Sequence, residues 1–204
     1  CRSLHAKAER GLASAALARP LLTPGATPDP LVISLPRSGE RLALLRQRLG
    51  READTITVMP GVDGSQLDPY DLLARGLLEP SALNWPQGQL GCALSHLRCL
   101  LRCLRLGQPQ LILEDDAVLA PHWRAELAQL LEQAPANWDL LLLGWNLDSC
   151  LQLEWAGGLG LTALFQPRWP SQAQLETALA ASGGRRWFRL LKGLGLAGYL
   201  VSPA

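Results

Sequence analysis

The chain has 204 residues, of which 48% are apolar and 18% charged, and its formal net charge is +1. This composition is typical of a globular domain with a sizeable core and excludes a disordered chain. The nearly neutral charge gives no general attraction for nucleic acid, so any anion site must be local. We expect no transmembrane segment, because no apolar stretch approaches the roughly 20 residues that a spanning helix needs.

The first 30 residues differ in composition from the rest of the chain. An Ala-rich helix is predicted over 3–18, and residues 19–30 contain four prolines, which is typical of a linker. We therefore divide the chain into an N-terminal extension with a Pro-rich linker, 1–30, and one domain, 31–204. The chain stops soon after a strand-like run, so we expect this domain to be incomplete at its C-terminus and catalytic residues to follow residue 204.

Apolar runs and helical periodicities alternate along the domain. Short apolar runs predict strands at 31–35, 55–59, 111–114, 139–144 and 197–201. Helices are predicted at 40–49, 89–106, 121–133 and 172–181, the third opened by Pro121 and the fourth capped by Ser171 with Gln174. Residues 65–88 lack periodicity and are predicted as mainly loop. Buried strands alternating with helices predict an α/β fold, with a Rossmann-like, mostly parallel sheet and helices on both faces.

The predicted helix over 89–106 has two apolar stripes. One stripe consists of Leu90, Leu94, Leu97, Leu101 and Leu104, and the opposite stripe of Cys92, His96, Cys99 and Cys103. We expect both stripes to be buried and the arginines between them to meet water. The chain has five cysteines without CxxC spacing, which favours reduced thiols. Four ligands spread over about 16 Å of one helix cannot converge on one zinc ion, so we interpret the cysteines of this helix as buried thiols.

Polar segments follow four of the predicted strands. They are SLPR (34–37), PGVDG (60–64), EDD (114–116) and GWNLD (144–148). In a mostly parallel sheet, ligands bind beyond the carboxyl ends of the strands. The four segments are therefore predicted to lie along one rim of the sheet.

The acidic triplet Glu114, Asp115 and Asp116 is the strongest chemical signal in the chain. Adjacent carboxylates next to a buried strand repel one another and lose hydration, and a bound cation would offset that penalty. Hard cations such as Mg²⁺ and Mn²⁺ suit carboxylate oxygens. If the strand stays extended, Glu114 and Asp116 point the same way and Asp115 points across. The alternative is a helix N-terminus, where acidic side chains favour the helix dipole.

Three other side chains lie in the segments that follow the strands. Arg37 and Arg41 stand at the mouth of the predicted rim, where guanidinium groups could bind a diphosphate bidentately. The alternative for both arginines is a solvated helix face. Asp63 is either a turn residue or a hydrogen-bond acceptor for a ribose or a base. His96, taken alone, favours a hydrogen-bonded place in the core.

Several of these motifs, taken in order, resemble those of glycosyltransferase family 25, which includes bacterial lipooligosaccharide galactosyltransferases and procollagen galactosyltransferases. The matching pieces are LVISLPRSGER (31–41), PGVDG (60–64), GQLGCALSHLRCL (88–100), LILEDDAVL (111–119), WDLLLLG (138–144) and AGYLVSPA (197–204). The GxxGCxxSH and LEDD pieces at this spacing are the most specific part of the resemblance, which leaves residues 1–30 outside.

The resemblance implies a GT-A-like fold and transfer of a sugar, often galactose, from a nucleotide diphosphate sugar to an acceptor hydroxyl, with inversion. It implies a Mn²⁺ or Mg²⁺ cofactor held by Glu114 and Asp116, with Asp116 the preferred direct ligand. Asp115 and Asp116 are expected to be catalytic, and Asp148 and Glu154 are candidates for the general base. The expected nucleotide-sugar contacts are Pro36, Arg37, Arg41, Asp63, Ser95 and His96.

The implied partners are UDP-galactose and a glycan or lipooligosaccharide acceptor. The expected location is the cytoplasm, with peripheral association at the inner face of the membrane. Two alternatives stay open at this point. One is a non-catalytic relative that binds sugar nucleotides or glycans, and the other is an unrelated Mg²⁺-dependent phosphohydrolase that uses the acidic triplet.

Overall fold

The computed structural model describes residues 26–120, 122–135, 137–144, 150–154, 159–164, 187–193 and 195–203. The strands are β1 (Pro30–Ser34), β2 (Thr57–Pro60), β3 (Gln110–Glu114), β4 (Leu140–Gly144), β5 (Cys150–Glu154), β6 (Gly160–Leu164), β7 (Arg189–Gly193) and β8 (Gly198–Val201). The α-helices are α1 (Gly39–Leu49), α2 (Pro69–Ala74), α3 (Gln87–Leu106) and α4 (Trp123–Glu132).

The main sheet has five strands in the order β2-β1-β3-β8-β4. Strand β1 pairs in parallel with β2 and β3, whereas β8 is antiparallel to both of its neighbours, β3 and β4. Strands β1, β2, β3 and β4 therefore run in one direction, and only β8 is reversed. The mostly parallel sheet and its five predicted strands are confirmed, with bounds shifted by one or two residues.

Helices cover both faces of this sheet, as predicted. On one face, α1 and α4 bury Leu45, Leu49 and Leu127 against strand residues that include Val32 and Leu113. On the other face, Cys99 of α3 packs with Leu31, Ile112 and Tyr199. These two sets alternate along β1 and β3, because successive strand residues point to opposite faces of a sheet.

The prediction of two buried stripes on α3 holds only at its start, where Leu90 is buried and Leu94 is half-buried, and was wrong for the rest of the helix. Leu97, Leu101 and Leu104 are 39%, 48% and 56% exposed, whereas Cys99 and Cys103 are almost fully buried. Their small side chains let the helix lie close to the sheet. Burial raises the pKa of the Cys99 thiol to about 11, against the opposing effect of nearby arginine charges, so this group is a neutral thiol.

Two local predictions also need correction. Residues 65–88 are not mainly loop, because they contain α2 and two short 3₁₀ turns, Gly64–Gln66 and Pro80–Ala82. The six-residue helix α2 is too short for a periodic signal, but Asp68 caps it and Pro69 opens it. Helix α4 begins at Trp123, after His122 in a left-handed conformation, and not at Pro121, which lies outside the described residues.

A second, antiparallel sheet with the order β6-β5-β7 has no counterpart among the sequence predictions. Just before β7, the Trp187 indole donates a hydrogen bond to the Leu130 carbonyl of α4 at 3.1 Å. The predicted helices over 3–18 and 172–181 lie outside the described residues. At the other end of the domain, Arg124 of α4 donates hydrogen bonds to Thr27 and Asp29, so part of the predicted linker contacts the fold.

Within the described residues, we find no helix with both the length and the apolar character of a membrane span.

The start of α3 touches the segment after β2 backbone to backbone. A Cβ atom on Gly64 would lie 1.8 Å from the Gln87 carbonyl oxygen, and one on Gly91 would lie 2.6 Å from the Val62 carbonyl oxygen. Ser95 completes the contact, because its hydroxyl accepts from the Val62 N–H at 2.8 Å and donates to the Gly91 carbonyl at 2.7 Å. Only glycine permits this approach, which places α3 beside the carboxyl end of β2.

We expect Gly91→Ala to destabilise the fold by about 1–3 kcal/mol, because the new methyl group overpacks a backbone contact. Gly88→Ala is the matched control, since it lies in the same helix with nothing within 4 Å of an added Cβ. Alanine is the better helix former, so this control should be neutral or slightly stabilising. Thermal and urea unfolding of both variants would measure the difference, and equal stability of the two would refute the close contact.

Candidate functional site

The candidate site lies at the carboxyl ends of β1, β2 and β3, which we call the rim, together with residues 34–41, 60–66 and 114–117. Because these strands are parallel, the three segments meet at one edge of the sheet. The Gly61 N–H donates to the Ser34 carbonyl at 2.8 Å, which joins the segments after β2 and β1. The shared rim is therefore present for three of the four predicted segments, and most of the fourth, residues 145–148 of 144–148, lies outside the described residues.

Asp115 is a buried carboxylate with both oxygens satisfied. It is 3% exposed, and its Oδ1 accepts from Arg41 Nη2 at 2.9 Å while its Oδ2 accepts from the Ser34 hydroxyl at 2.8 Å. A desolvated charge needs such partners. Asp115 therefore fixes Arg41 of α1 over the rim, and we interpret it as a positioning residue.

Asp116 is the exposed member of the triplet. Its side chain is 55% exposed, and its Oδ2 accepts from Arg41 Nη1 at 3.2 Å. Partial burial and the neighbouring charge of Glu114, followed by that of Asp115, raise the pKa of the Asp116 carboxyl above its usual value, while Arg41 lowers it. The negative charges around Asp116 outweigh the charge of Arg41. A carboxylate in such an environment suits a divalent cation.

The side chain of Glu114 points toward α3. The chain turns directly after β3, where the Ala117 N–H donates to the Glu114 carbonyl at 3.1 Å. The strand therefore does not stay extended through the triplet, which was the condition for Glu114 and Asp116 to point the same way. Instead, Glu114 Oε1 lies 3.1 Å from His96 Nε2.

His96 is buried and connects three elements of the fold. Its Nδ1 lies 2.9 Å from the Tyr199 hydroxyl of β8, and its Nε2 faces Glu114 of β3. Burial alone would lower the pKa of His96, but hydrogen bonds with Cys92 and Glu114 outweigh it and raise the pKa to about 9. The histidine has both a core location and a contact with the acidic triplet, so it positions Glu114.

Asp63 and Arg37 form an ion pair at the edge of the rim. The second oxygen of Asp63 accepts from the Ser65 N–H at 3.0 Å and from the Ser65 hydroxyl at 2.8 Å, so it also closes the turn after β2. Arg37 is 60% exposed. Pro36 lies exposed in the turn that the Ser38 N–H closes on the Leu35 carbonyl at 2.8 Å. Two arginines are thus presented at the rim, each beside a carboxylate.

The remaining predicted site residues lie elsewhere or serve the scaffold. Ser95 holds the segment after β2 through its hydrogen bonds with Val62 and Gly91. Asp148 lies outside the described residues. Glu154 lies in the second sheet, where it accepts a hydrogen bond from Arg189 at 3.1 Å. The base roles of Asp148 and Glu154 stay predictions.

Sequence reasoning missed three side chains that complete the site. Ser34 is a polar residue at the end of an otherwise apolar strand, a signal that could have singled it out. Tyr199 pairs with Ile112 in the register of β8 and β3, which places it on the face that α3 covers. Cys92 was expected to be buried but is exposed, one helical turn before His96.

We expect Asp115→Asn to lower the free energy of unfolding by about 1–3 kcal/mol, because the amide cannot accept from both Arg41 and Ser34. Asp71→Asn is the control, since Asp71 pairs with Arg75 on the exposed surface of α2 at 3.4 Å. Such a pair contributes little, so the control should change stability by less than about 0.5 kcal/mol. Urea unfolding measures both, and similar effects of the two substitutions would contradict the assignment of Asp115.

Comparisons with known proteins identify the family to which the chain is similar. The sequence model of glycosyltransferase family 25 (LPS biosynthesis protein) matches residues 27–204. A glycosyltransferase 25 family member of Drosophila melanogaster is 31% identical over 119 residues, which is 53% of this chain and 19% of the relative. One of Anopheles gambiae is 32% identical over 123 residues, 55% of this chain and 21% of the relative.

A third relative carries a different functional label. The "probable inactive glycosyltransferase 25 family member 3" of Bos taurus is 31% identical over 146 residues, 65% of this chain and 24% of the relative. The chain spans about a fifth of the length of the two insect relatives. Because the family model covers almost the entire described part of the chain, this protein belongs to glycosyltransferase family 25.

Proposed function

We propose that this chain binds a nucleotide diphosphate sugar at the rim and takes part in the transfer of its sugar to an acceptor hydroxyl. One observation carries the proposal: Arg41 and Asp116 lie together at the carboxyl ends of parallel strands, held there by the buried Asp115. Open α/β sheets bind their ligands at this edge. Membership of glycosyltransferase family 25 supports the class of reaction.

The arginines suit the diphosphate of such a donor. Arg37 and Arg41 are 60% and 50% exposed, so their guanidinium groups can exchange a carboxylate partner for phosphate oxygens. A guanidinium group matches phosphate oxygens bidentately and stays charged at every relevant pH. As the bond between sugar and diphosphate breaks, negative charge grows on the leaving group, and fixed positive charges stabilise it.

The donor set of the rim fits Mn²⁺ or Mg²⁺. Asp116 offers an exposed carboxylate in a negative environment, and Glu114 lies close enough to raise its pKa. When bound there, such a cation would neutralise charge on the diphosphate. We propose Asp116 as the direct ligand, with Glu114 contributing its charge, because Glu114 already contacts His96. Asp115 is buried and each of its oxygens already has a partner, so we propose that it acts through Arg41 and not as a ligand.

The finer assignments rest on the family resemblance. UDP-galactose is the donor that we propose, with an inverting transfer to a glycan or lipooligosaccharide acceptor. Inversion requires a base that takes the proton of the acceptor hydroxyl, and Asp148 is our candidate. A lipid-linked acceptor would place the reaction at the cytoplasmic face of a membrane, to which the protein would bind peripherally.

A non-catalytic role is the second candidate. It is favoured by the cattle relative, whose name describes it as a probable inactive family member. Such a protein would bind the nucleotide sugar at the same rim and leave it intact. Binding and turnover must therefore be measured separately.

We expect UDP with Mn²⁺ to raise the melting temperature of the chain and Asp116→Ala to abolish this effect. UDP at about a hundredfold excess over its Kd should stabilise the fold by about 2.7 kcal/mol. Thermal-shift assays with UDP, GDP and ADP, each with and without Mn²⁺, measure the effect and the preference for a base. The proposal fails if no nucleotide changes the melting temperature under any of these conditions.

Asp71→Ala is the matched control for this assay. Asp71 is also an exposed aspartate paired with an arginine, but it lies on α2 and outside the rim. The control should keep the full response to UDP and Mn²⁺. Release of UDP from UDP-galactose, followed with and without a glycan acceptor, then separates the two candidates: turnover supports the transferase, and binding without turnover supports the non-catalytic relative.

A further inference from the structure

A second group of ligand-type side chains lies on the α3 side of Glu114. Cys92, His96 and Glu114 each offer one ligand atom, and these three atoms lie within 4.8 Å of one another. Cys92 and His96 are four residues apart on α3 and so share one face of the helix. Glu114 approaches from the end of β3. The group joins two elements of the fold and combines sulfur, nitrogen and oxygen.

The ring of His96 is held in one orientation, and Zn²⁺ binding at Nε2 would release the proton that this nitrogen shares with Glu114. Its Nδ1 is engaged at 2.9 Å by the hydroxyl of Tyr199, a residue that is 1% exposed. The opposite nitrogen, Nε2, faces Glu114 Oε1 at 3.1 Å. Metal-bound histidines almost always give their second nitrogen to an oxygen partner, which fixes the ring and its tautomer. Tyr199 is such a partner, and its place in β8 makes it rigid.

The three ligands suit a thiophilic ion. Zn²⁺ binds thiolate, imidazole and carboxylate at about 2.0–2.3 Å in tetrahedral sites, so its ligand atoms lie about 3.3–3.8 Å apart. The observed group needs only a small contraction to reach that spacing. Mg²⁺ and Mn²⁺ prefer sites made of oxygen atoms, which excludes them here. Cys92 is exposed, so an ion can enter from solvent.

We propose that Cys92 Sγ, His96 Nε2 and Glu114 Oε1 form a binding site for Zn²⁺ or a similar thiophilic divalent cation, with a fourth position open to water. The sequence argument against zinc concerned four ligands along one helix. Cys99 and Cys103 indeed face the core, and the third ligand comes instead from a strand. The proposal does not require the chain to transfer a sugar, although the site shares Glu114 with the rim.

Cobalt provides the direct test, since Co²⁺ replaces Zn²⁺ and reports its ligands by absorption. The full chain, treated with a chelator, would be titrated with Co²⁺. We expect one equivalent to produce thiolate-to-cobalt charge transfer and tetrahedral d–d bands, which Zn²⁺ then abolishes. Cys92→Ser should lose the charge-transfer band, whereas Cys150→Ser and Asp116→Asn should retain it. A missing band in the unsubstituted chain, or an equal band in Cys92→Ser, overturns the proposal.

A second test uses the unsubstituted chain and so does not depend on the folding of a variant. Alkylation of Cys92 and Cys150 by iodoacetamide would be followed by mass spectrometry. With Zn²⁺ at about ten times its Kd, mass action leaves roughly one tenth of the Cys92 thiol free, so its labelling should slow about tenfold. Cys150 should be unaffected, and Mn²⁺ should protect neither thiol. Unchanged labelling of Cys92 in Zn²⁺ overturns the proposal, and the UDP response of Asp116 remains a separate measurement.

Discussion

The buried carboxylate of Asp115 is the constraint on which the geometry of the rim depends. A desolvated carboxylate is stable only when its oxygens accept hydrogen bonds, and here Arg41 of α1 and Ser34 of β1 donate them. These contacts hold β1, α1 and the end of β3 together. The chain turns at the triplet, and its other two members have different partners. Glu114 faces His96 of α3, and Asp116 lies in solvent beside Arg41.

The packing of α3 against the segment after β2 explains the residues of GCALSH (91–96). Gly91 permits the backbone of the helix to touch Gly64, and Ser95 binds the same segment through Val62. This close approach carries His96 to the end of β3, where it reaches Glu114. A motif that marks the family is therefore, in large part, a device for packing. Its glycine and serine position the helix, and its cysteine and histidine are the residues with chemistry to offer.

The sheet and its largest helices could be predicted because their apolar residues have clear periods, and because parallel strands place their carboxyl ends together. The exposure of Leu101 could not, since a period shows which residues share a face but not which face the sheet covers. The directions of the acidic side chains were equally inaccessible. They depend on Ser34 and Tyr199, whose partners Asp115 and His96 lie 81 and 103 residues away in sequence.

Glu114 would make the two proposed cation sites dependent on each other. Burial and then the charge of Glu114 raise the pKa of Asp116, and the Glu114 oxygen also lies with Cys92 and His96 in the group that we propose as a zinc site. A soft ion in that group would neutralise Glu114 and add positive charge close to Asp116. Like charges at short range repel strongly where water is partly excluded. Zinc would therefore weaken the binding of a hard cation at Asp116, and by linkage the hard cation would weaken zinc binding to the same extent.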